Sequence, residues 1–495
     1  MLTLKEFKEA RAVLSGVILN TSLVYSKAFS RATGNQVYIK PENMQVTGAY
    51  KIRGAYYKIS TLSEEEKARG LVTASAGNHA QGVAYAAQAA GVEATIVMPT
   101  TTPLVKVNNT KDYGAKVILQ GETFDDAAAL AAQLSQEQGL TYVHPFNDPA
   151  VATGQGTISY EIFQDLPDVD VILVPIGGGG LATGVSTLAK LLNPNVTVIG
   201  VEPTGAASMK ASLEAGHVLT LPRIETIADG VAVKTPGDQI FPYIQKNIDD
   251  VITIDDDELV DAFLDMMEKH KMIVENAGLL PIAALNHLDC KGKNVVPVLS
   301  GGNMDVITVA SLVQHGLINR GRVFTFSVQL PDRPGELLRV ASIVARENGN
   351  IIKLEHNQFV NINRQSVTRP GNATPTISTI SPGGTARPNR LQTARAQRGA
   401  AFSGKRLPPG ASSQSRGDTV PPGHLYDAAR CSGAHAAGPG LVGAGAQAPG
   451  EDRQPSRGVI RLPYPMSHPA SRCPALLPAV WPILAELSEK PTKEW

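Results

Sequence analysis

The chain has 495 residues, 45 basic and 45 acidic side chains and 43% hydrophobic residues. At roughly 150 residues per domain the length allows about three domains, and the balanced charge argues against both a nucleic-acid binder and an acidic disordered chain. The balance hides a split, because residues 365–495 hold 12 Arg, 3 Lys and 7 acidic residues and so carry +8, which leaves −8 on residues 1–364.

The first segment, MLTLKEFKEARAVL, is amphipathic and lacks the charged and apolar regions of a secretory signal; no run of ~18 apolar residues follows anywhere. Neither secretion nor a membrane span is expected. Three cysteines (Cys290, Cys431 and Cys473) suit a reducing cytoplasm and are too scattered for a disulfide framework or a thiolate zinc site. Up to residue 321, short β-branched runs alternate with Ala-rich helical stretches, as in parallel sheets wrapped by helices. VTASAG, ATIVMP, AKVILQ, VILVPI, VTVIGVEP and VVPVLS read as strands, and Asn78–Ala90, Phe124–Gln138 and Leu181–Leu192 as crossover helices. Residues 322–364 read as strand (VFTFSVQL), turn (PDRPGE), helix (LLRVASIVARENG) and strand (NIIKLEHNQFVNI), half of a small α+β unit. From Gln365 the periodic signals largely stop, and the Lys to Arg count goes from 19:11 before the boundary to 3:12 after it. Such a Pro-, Gly- and Ser-rich chain is expected to be largely disordered over 365–495. An out-of-frame reading of a GC-rich gene would produce this shift; a natural low-complexity tail is the other explanation.

In open α/β sheets ligands gather at the carboxyl ends of strands, and four loops there carry candidate chemistry. In TGAYKIRGA, Lys51 sits among small residues near a helix start, where an amine can attack a carbonyl; taken alone it reads as a surface lysine. Ser75, Ala76, Gly77, Asn78 and His79 run from a strand into a helix whose amino end suits a carboxylate or phosphate, although an ordinary Ser75 cap explains it too. Gly177, Gly178, Gly179 and Gly180, followed by Leu181, let backbone amides close on a phosphate. Gly177, Gly179 and Ala182, with Glu202 lying 20 residues further on, also fit a dinucleotide fingerprint. Ser300, in VLSGGN, offers one hydroxyl at the last turn.

A nicotinamide enzyme has no use for a reactive lysine, a separate anion cradle and a Ser-Gly-Gly turn. Pyridoxal phosphate uses all four loops: its aldehyde takes Lys51, its phosphate the glycine run, its ring nitrogen Ser300, and the amino-acid carboxylate the segment Ser75–His79.

TGAYKIRGA, TASAGNHAQGVA, PIGGGGLATG and VLSGGN, in this order, resemble the motifs of threonine dehydratases (threonine ammonia-lyases), fold type II pyridoxal-phosphate enzymes of the tryptophan-synthase-β-like class. KPENMQ, IVMPTTTPLVKV, HPFNDP, GVEP, ETIADGVAV and IVENAG match as well, so the resemblance covers nearly all of residues 1–320. It implies an α/β fold with two parallel-sheet subdomains, and Lys51 as the lysine that bonds the cofactor with Tyr50 beside the ring. It implies further that Asn78 meets the phenolic oxygen, the amides of Gly177 to Leu181 the phosphate, and Ser300 the pyridine nitrogen. The implied reaction converts L-threonine, and more weakly L-serine, to an oxo acid and ammonia in a cytoplasmic homotetramer or dimer; a serine/threonine dehydratase or a serine racemase is the alternative within the family. Some relatives bind a cation through a glutamate and an acid six positions on; here Ser208 follows Glu202 at that spacing, so no metal is expected. The piece around Asp332-Arg333-Pro334-Gly335 resembles the start of the ACT-like regulatory domain of biosynthetic threonine dehydratases, which implies the isoleucine pathway.

Overall fold

A computed structural model describes residues 1–327, 330–331, 334–357 and 372–382 of the chain. It divides into two compact units, the first running from Met1 to Phe324. The strands of the first unit are β1 (Val24–Tyr25), β2 (Gln36–Ile39), β3 (Leu71–Ala74), β4 (Ala94–Met98), β5 (Lys116–Leu119), β6 (Thr141–Tyr142), β7 (Val171–Pro175), β8 (Thr197–Pro203), β9 (Asp250–Ile254) and β10 (Asn294–Pro297).

They form two sheets, ordered β5-β4-β3-β6 and β1-β2-β10-β7-β8-β9. Every pairing is parallel except β1 with β2. Parallel strands covered on both faces need apolar residues throughout rather than alternately. The sequence VILVP of β7 meets that demand, and all five residues are buried. The helices Gly180–Leu192 and Asn276–Ala284 contribute Val185 and Leu279 to the two apolar cores of the larger sheet. The smaller sheet packs Ile96 and Met98 against Val83 and Ala87 of the helix Asn78–Ala90.

All six expected strands are present, and the expected helix at Leu181 begins one residue earlier, at Gly180. The two-residue strands β1 and β6 have too few residues to stand out as periodic runs, and the polar residues of β2 (QVYI) and β9 (DVITI) break their apolar pattern.

The second unit begins at Thr325, one residue into β11 (Phe324–Ser327), and contains β12 (Leu330–Pro331), a helix Glu336–Arg346, β13 (Gly349–Asn357) and β14 (Asn372–Pro382). The expected strand VFTFSVQL is thus divided between β11 and β12. Strand β14 lies where the sequence pointed to no regular structure, and it corrects that expectation for 11 residues. It pairs antiparallel with β13 from Gly349↔Pro382 to Asn357↔Thr374, and with β12 at Leu330↔Ala373. The β-branched residues of NATPTISTISP explain the strand better than its overall Pro and Ser content suggests. The expected disorder of residues 383–495 lies outside the described residues.

Candidate active site

The four loops converge at the carboxyl ends of the sheets of the first unit. The lysine loop and the Ser-Gly-Gly turn lie antiparallel, with the Tyr50 amide donating to the Ser300 carbonyl (3.1 Å) and the Gly302 amide to the Gly48 carbonyl (2.9 Å). This pairing sets Lys51, the first residue of the helix Lys51–Ser60, beside Ser300. Opposite them, the glycine run leaves β7 and enters the helix Gly180–Leu192; Gly179 takes φ +103°, a conformation that a side chain would strain. A Cβ on Gly178 would lie 2.2 Å from the Phe146 ring, so that residue too must be glycine for the loop HPFNDP to close over it.

Between these loops is a cavity of about 50 Å³, lined by Tyr50, Lys51, Asn78, Gly177 to Leu181 and Ser300. The structure therefore brings together every residue expected to meet the cofactor. The expected carboxylate cradle is different: of Ser75, Ala76, Gly77, Asn78 and His79, only Asn78 lines the cavity. Ser75 to Gly77 are half-buried ahead of the helix, with the Gly77 amide bonded to Ser75 Oγ (3.3 Å) and open space where a Gly77 Cβ would be. The His79 ring is buried and turned towards the Val143 carbonyl (3.0 Å), so only its backbone can face a ligand.

Burial dominates the electrostatics here. It brings the Lys51 amine down to about 8, against the opposing pull of the Glu275 carboxylate. Lys51 Nζ donates to the Pro145 carbonyl (2.7 Å) and lies 5.4 Å from the centre of the Tyr50 ring. Burial together with the nearby Lys51 charge pushes His79 down to about 3 and His144 to about 4, so both rings are neutral. Burial raises Glu275 to about 7 and raises the Tyr50 phenol.

Several residues of the site escaped the sequence reading. Phe146, Val231 and Glu275 line the cavity. They lie in HPFNDP, ETIADGVAV and IVENAG, stretches that matched the family without any residue being given a role. Behind Lys51 is a buried group of four charges. Arg53 clasps Glu42 (Nε to Oε2, 2.8 Å; Nη2 to Oε1, 2.8 Å) and Glu161 (Nη1 to Oε1, 2.7 Å), and Lys40 bonds Glu161. Burial lowers the Lys40 pKa; burial opposes ionisation of Glu42, but Arg53 overcomes it and holds that carboxyl below its usual range.

Glu202 distinguishes the two cofactor readings. Its carboxylate is wholly buried and accepts from the amides of Met209 (2.9 Å) and Lys210 (2.8 Å), so it is not open to a ribose. No cluster of three metal-ligating side chains occurs among the described residues. The cavity suits pyridoxal phosphate: it holds a lowered lysine amine for the aldehyde, a run of Cβ-free amides for the phosphate and a hydroxyl for the ring nitrogen.

Residues 14–301 match the family model described as pyridoxal-phosphate dependent enzyme. The chain belongs to that family, and its cofactor is pyridoxal phosphate. Within the family, it is 48% identical to an L-threonine ammonia-lyase of Thermotoga maritima over 72% of this chain and 90% of that protein. It is 43% identical to a catabolic L-threonine dehydratase of Staphylococcus aureus over 64% of this chain and 93% of that one. Its fold is similar to the processed form of threonine deaminase isoform 2 from Solanum lycopersicum, with a TM-score of 0.61, 40% identity, and coverage of 63% of this chain and 87% of that one.

Proposed function

We propose that this chain is a threonine ammonia-lyase, which eliminates water from L-threonine and releases 2-oxobutanoate and ammonia, with L-serine as a weaker substrate. The observation that carries this reading is the Lys51 amine, lowered to about 8, in one cavity with the glycine run, Asn78 and Ser300. The bound cofactor supplies an aldehyde that takes up an amino group and an electron sink that acidifies the adjacent α-proton.

The roles of the residues follow from their chemistry. Amides from Gly177 to Leu181 would hold the phosphate, Tyr50 would pack beside the ring and Asn78 would donate to the phenolic oxygen. Lys51 would hold the aldehyde in the resting enzyme, and its amine, once free and neutral, would accept the α-proton of the substrate. Ser300 would meet the ring nitrogen with a neutral hydroxyl, which brings no proton as a carboxylic acid would. Backbone groups of Ser75 to His79 hold the substrate carboxylate. The β-hydroxyl and α-proton leave as water; a water molecule then hydrolyses the released enamine, so the net change is loss of ammonia. Discrimination against serine rests on one methyl group, typically worth ~10 to 200-fold, so leakage to serine is expected.

The second unit is read as the ACT-like part of a biosynthetic enzyme on the isoleucine pathway. Its support is that the match to the Thermotoga protein extends over 72% of the chain, more than the first unit contains, whereas the match to the catabolic enzyme covers 64%. Assembly into a homo-oligomer is read from the same resemblance, and Val306 and Ile307, 82% and 83% exposed, are apolar surface of the kind a second copy covers. No helix among the described residues is long and apolar enough to cross a membrane.

The test is the visible absorption of the purified protein and ammonia release from L-threonine. Lys51→Ala should remove both. Retention of both by the variant would refute the assignment of Lys51.

A further inference from the structure

A chain of amide hydrogen bonds reaches the wall of the cavity at Asn78 and Glu275. Asn303 Nδ2 donates to the Thr47 carbonyl (2.8 Å) and to Asn78 Oδ1 (2.9 Å), and Asn78 Nδ2 donates to both carboxylate oxygens of Glu275 (2.9 Å each). A side-chain amide can be turned over to exchange its donor and acceptor, so its direction has to be set by neighbours. Here both ends of the chain are acceptors. The Thr47 carbonyl accepts only, which places the Asn303 nitrogen on that side and aims its second hydrogen at Asn78. Asn78 must then offer Oδ1 to Asn303, which leaves its NH2 for Glu275. Reversing Asn78 would set nitrogen against nitrogen at one end and oxygen against carboxylate at the other.

The backbone leaves little slack in this chain. The Glu275 amide donates to the Gly301 carbonyl (3.0 Å), and a Cβ on Gly301 would lie 2.5 Å from Glu275 Oε1 and 2.9 Å from Asn78 Nδ2. The Ser-Gly-Gly turn therefore presses directly on the amide that it helps to orient. Thr47 and Glu275 are buried, so neither end can exchange its partner freely for water.

We propose that Asn303 and Glu275 are positioning residues that fix the direction of the Asn78 amide, so that its NH2 group, and not its oxygen, is presented to the phenolic oxygen of the cofactor. The proposal rests on the pyridoxal-phosphate reading above and deepens it. An N–H donated to a phenolate favours the ionised form, whereas an amide oxygen turned to the same place disfavours it. The amide chain thus sets the protonation of the bound cofactor without Asn303 touching it.

The experiment uses the full-length protein loaded with pyridoxal phosphate and follows its visible absorption against pH, with cofactor affinity measured separately by equilibrium dialysis. In Asn303→Ala the midpoint of the titration should rise by about one pH unit, and affinity should fall about tenfold, the equivalent of one lost hydrogen bond to a charged group. Glu275→Gln and Glu275→Leu give a second comparison that does not depend on Asn303→Ala folding. Both remove the charge but only glutamine keeps an acceptor, so Leu should titrate about one unit above Gln. An unchanged midpoint in Asn303→Ala would overturn its role, and equal midpoints for the two Glu275 variants would overturn that of Glu275. A wild-type protein that takes up no pyridoxal phosphate would instead overturn the cofactor reading itself.

Discussion

Replacing Lys51 by methionine should make the cofactor-free protein more stable near neutral pH, not less. The pKa of the lysine lies at about 8 in the folded protein against 10.5 for the free side chain, and burial is the main cause. Between those values the unfolded chain binds a proton that the folded chain has released, so folded stability rises with pH across the window, at up to ~1.4 kcal/mol per unit. The penalty is fully present below pH 8 and is gone above about 10.5. Over the whole interval it amounts to ~3 kcal/mol. Lys51 is only partly shielded within the cavity and keeps its bond to the Pro145 carbonyl, so ~1–3 kcal/mol is the expected gain for the variant at pH 7. Methionine fills a similar volume with no charge to desolvate. The assay is urea unfolding of dialysed protein, wild type and Lys51→Met, at four pH values from 7 to 10. The advantage of the variant should hold from pH 7 to about 8 and then shrink as pH rises towards 10. A variant less stable than wild type at pH 7, or an advantage constant across the series, would refute the reasoning.

Three other outcomes are expected. Arg53→Met should cost ~3–5 kcal/mol in unfolding free energy, because it leaves Glu42 and Glu161 buried with Lys40 as their nearest remaining cation; a loss below 1 kcal/mol would contradict the geometry. Gly178→Ala should weaken pyridoxal-phosphate binding about tenfold or more, through a clash 2.2 Å from the Phe146 ring, and the added change Phe146→Ala should restore part of it in a double-mutant cycle. Threonine deamination by the full chain should respond weakly or not at all to isoleucine, since the sequence departs from the ACT-like pattern at Gln365; strong inhibition that disappears on truncation after Gly321 would show that the second unit still senses isoleucine.

What the sequence revealed and what it hid follow the reach of the forces involved. The glycine run sits at the end of a strand that is apolar throughout, and the lysine loop and the Ser-Gly-Gly turn carry small residues around one reactive side chain, so local pattern located them. The residues that tune the site are joined across long stretches of chain: Asn78 meets Glu275 across 197 positions, Asn303 meets Asn78 across 225, and Arg53 meets Glu161 across 108. Nothing local distinguishes Glu42, Arg53 or Glu161 from charges on a solvated face, and only the fold shows that they are shielded together. His79 is a mixed case. Its place in a family motif implied a ligand contact, but its position inside a helix reads as structural, and the ring is turned inward to Val143. Strand β14 was hidden by composition, because Pro375, Pro382 and two serines outweighed its β-branched residues.

The buried charges have a further consequence for how the site is assembled. Arg53 lies two residues after Lys51 in the helix Lys51–Ser60, so the clasp on Glu42 and Glu161 fixes the helix from the side away from the cavity. That clasp is electrically balanced, two cations against two carboxylates, and does not require the cofactor. Lys51 differs, because in the cofactor-free protein its amine is buried without a carboxylate bonded to it, and the carbonyl of Pro145 is its hydrogen-bond partner. Bonding the cofactor's aldehyde would remove the need to desolvate that amine as a free cation. A helix free to tilt would let Lys51 reach water and regain an ordinary amine pKa, so that a far smaller fraction of it would be neutral near pH 8 and available as nucleophile and base. The stability of the Arg53 clasp and the reactivity of Lys51 are therefore one property of the same helix, and loss of the first should raise the pKa of the second.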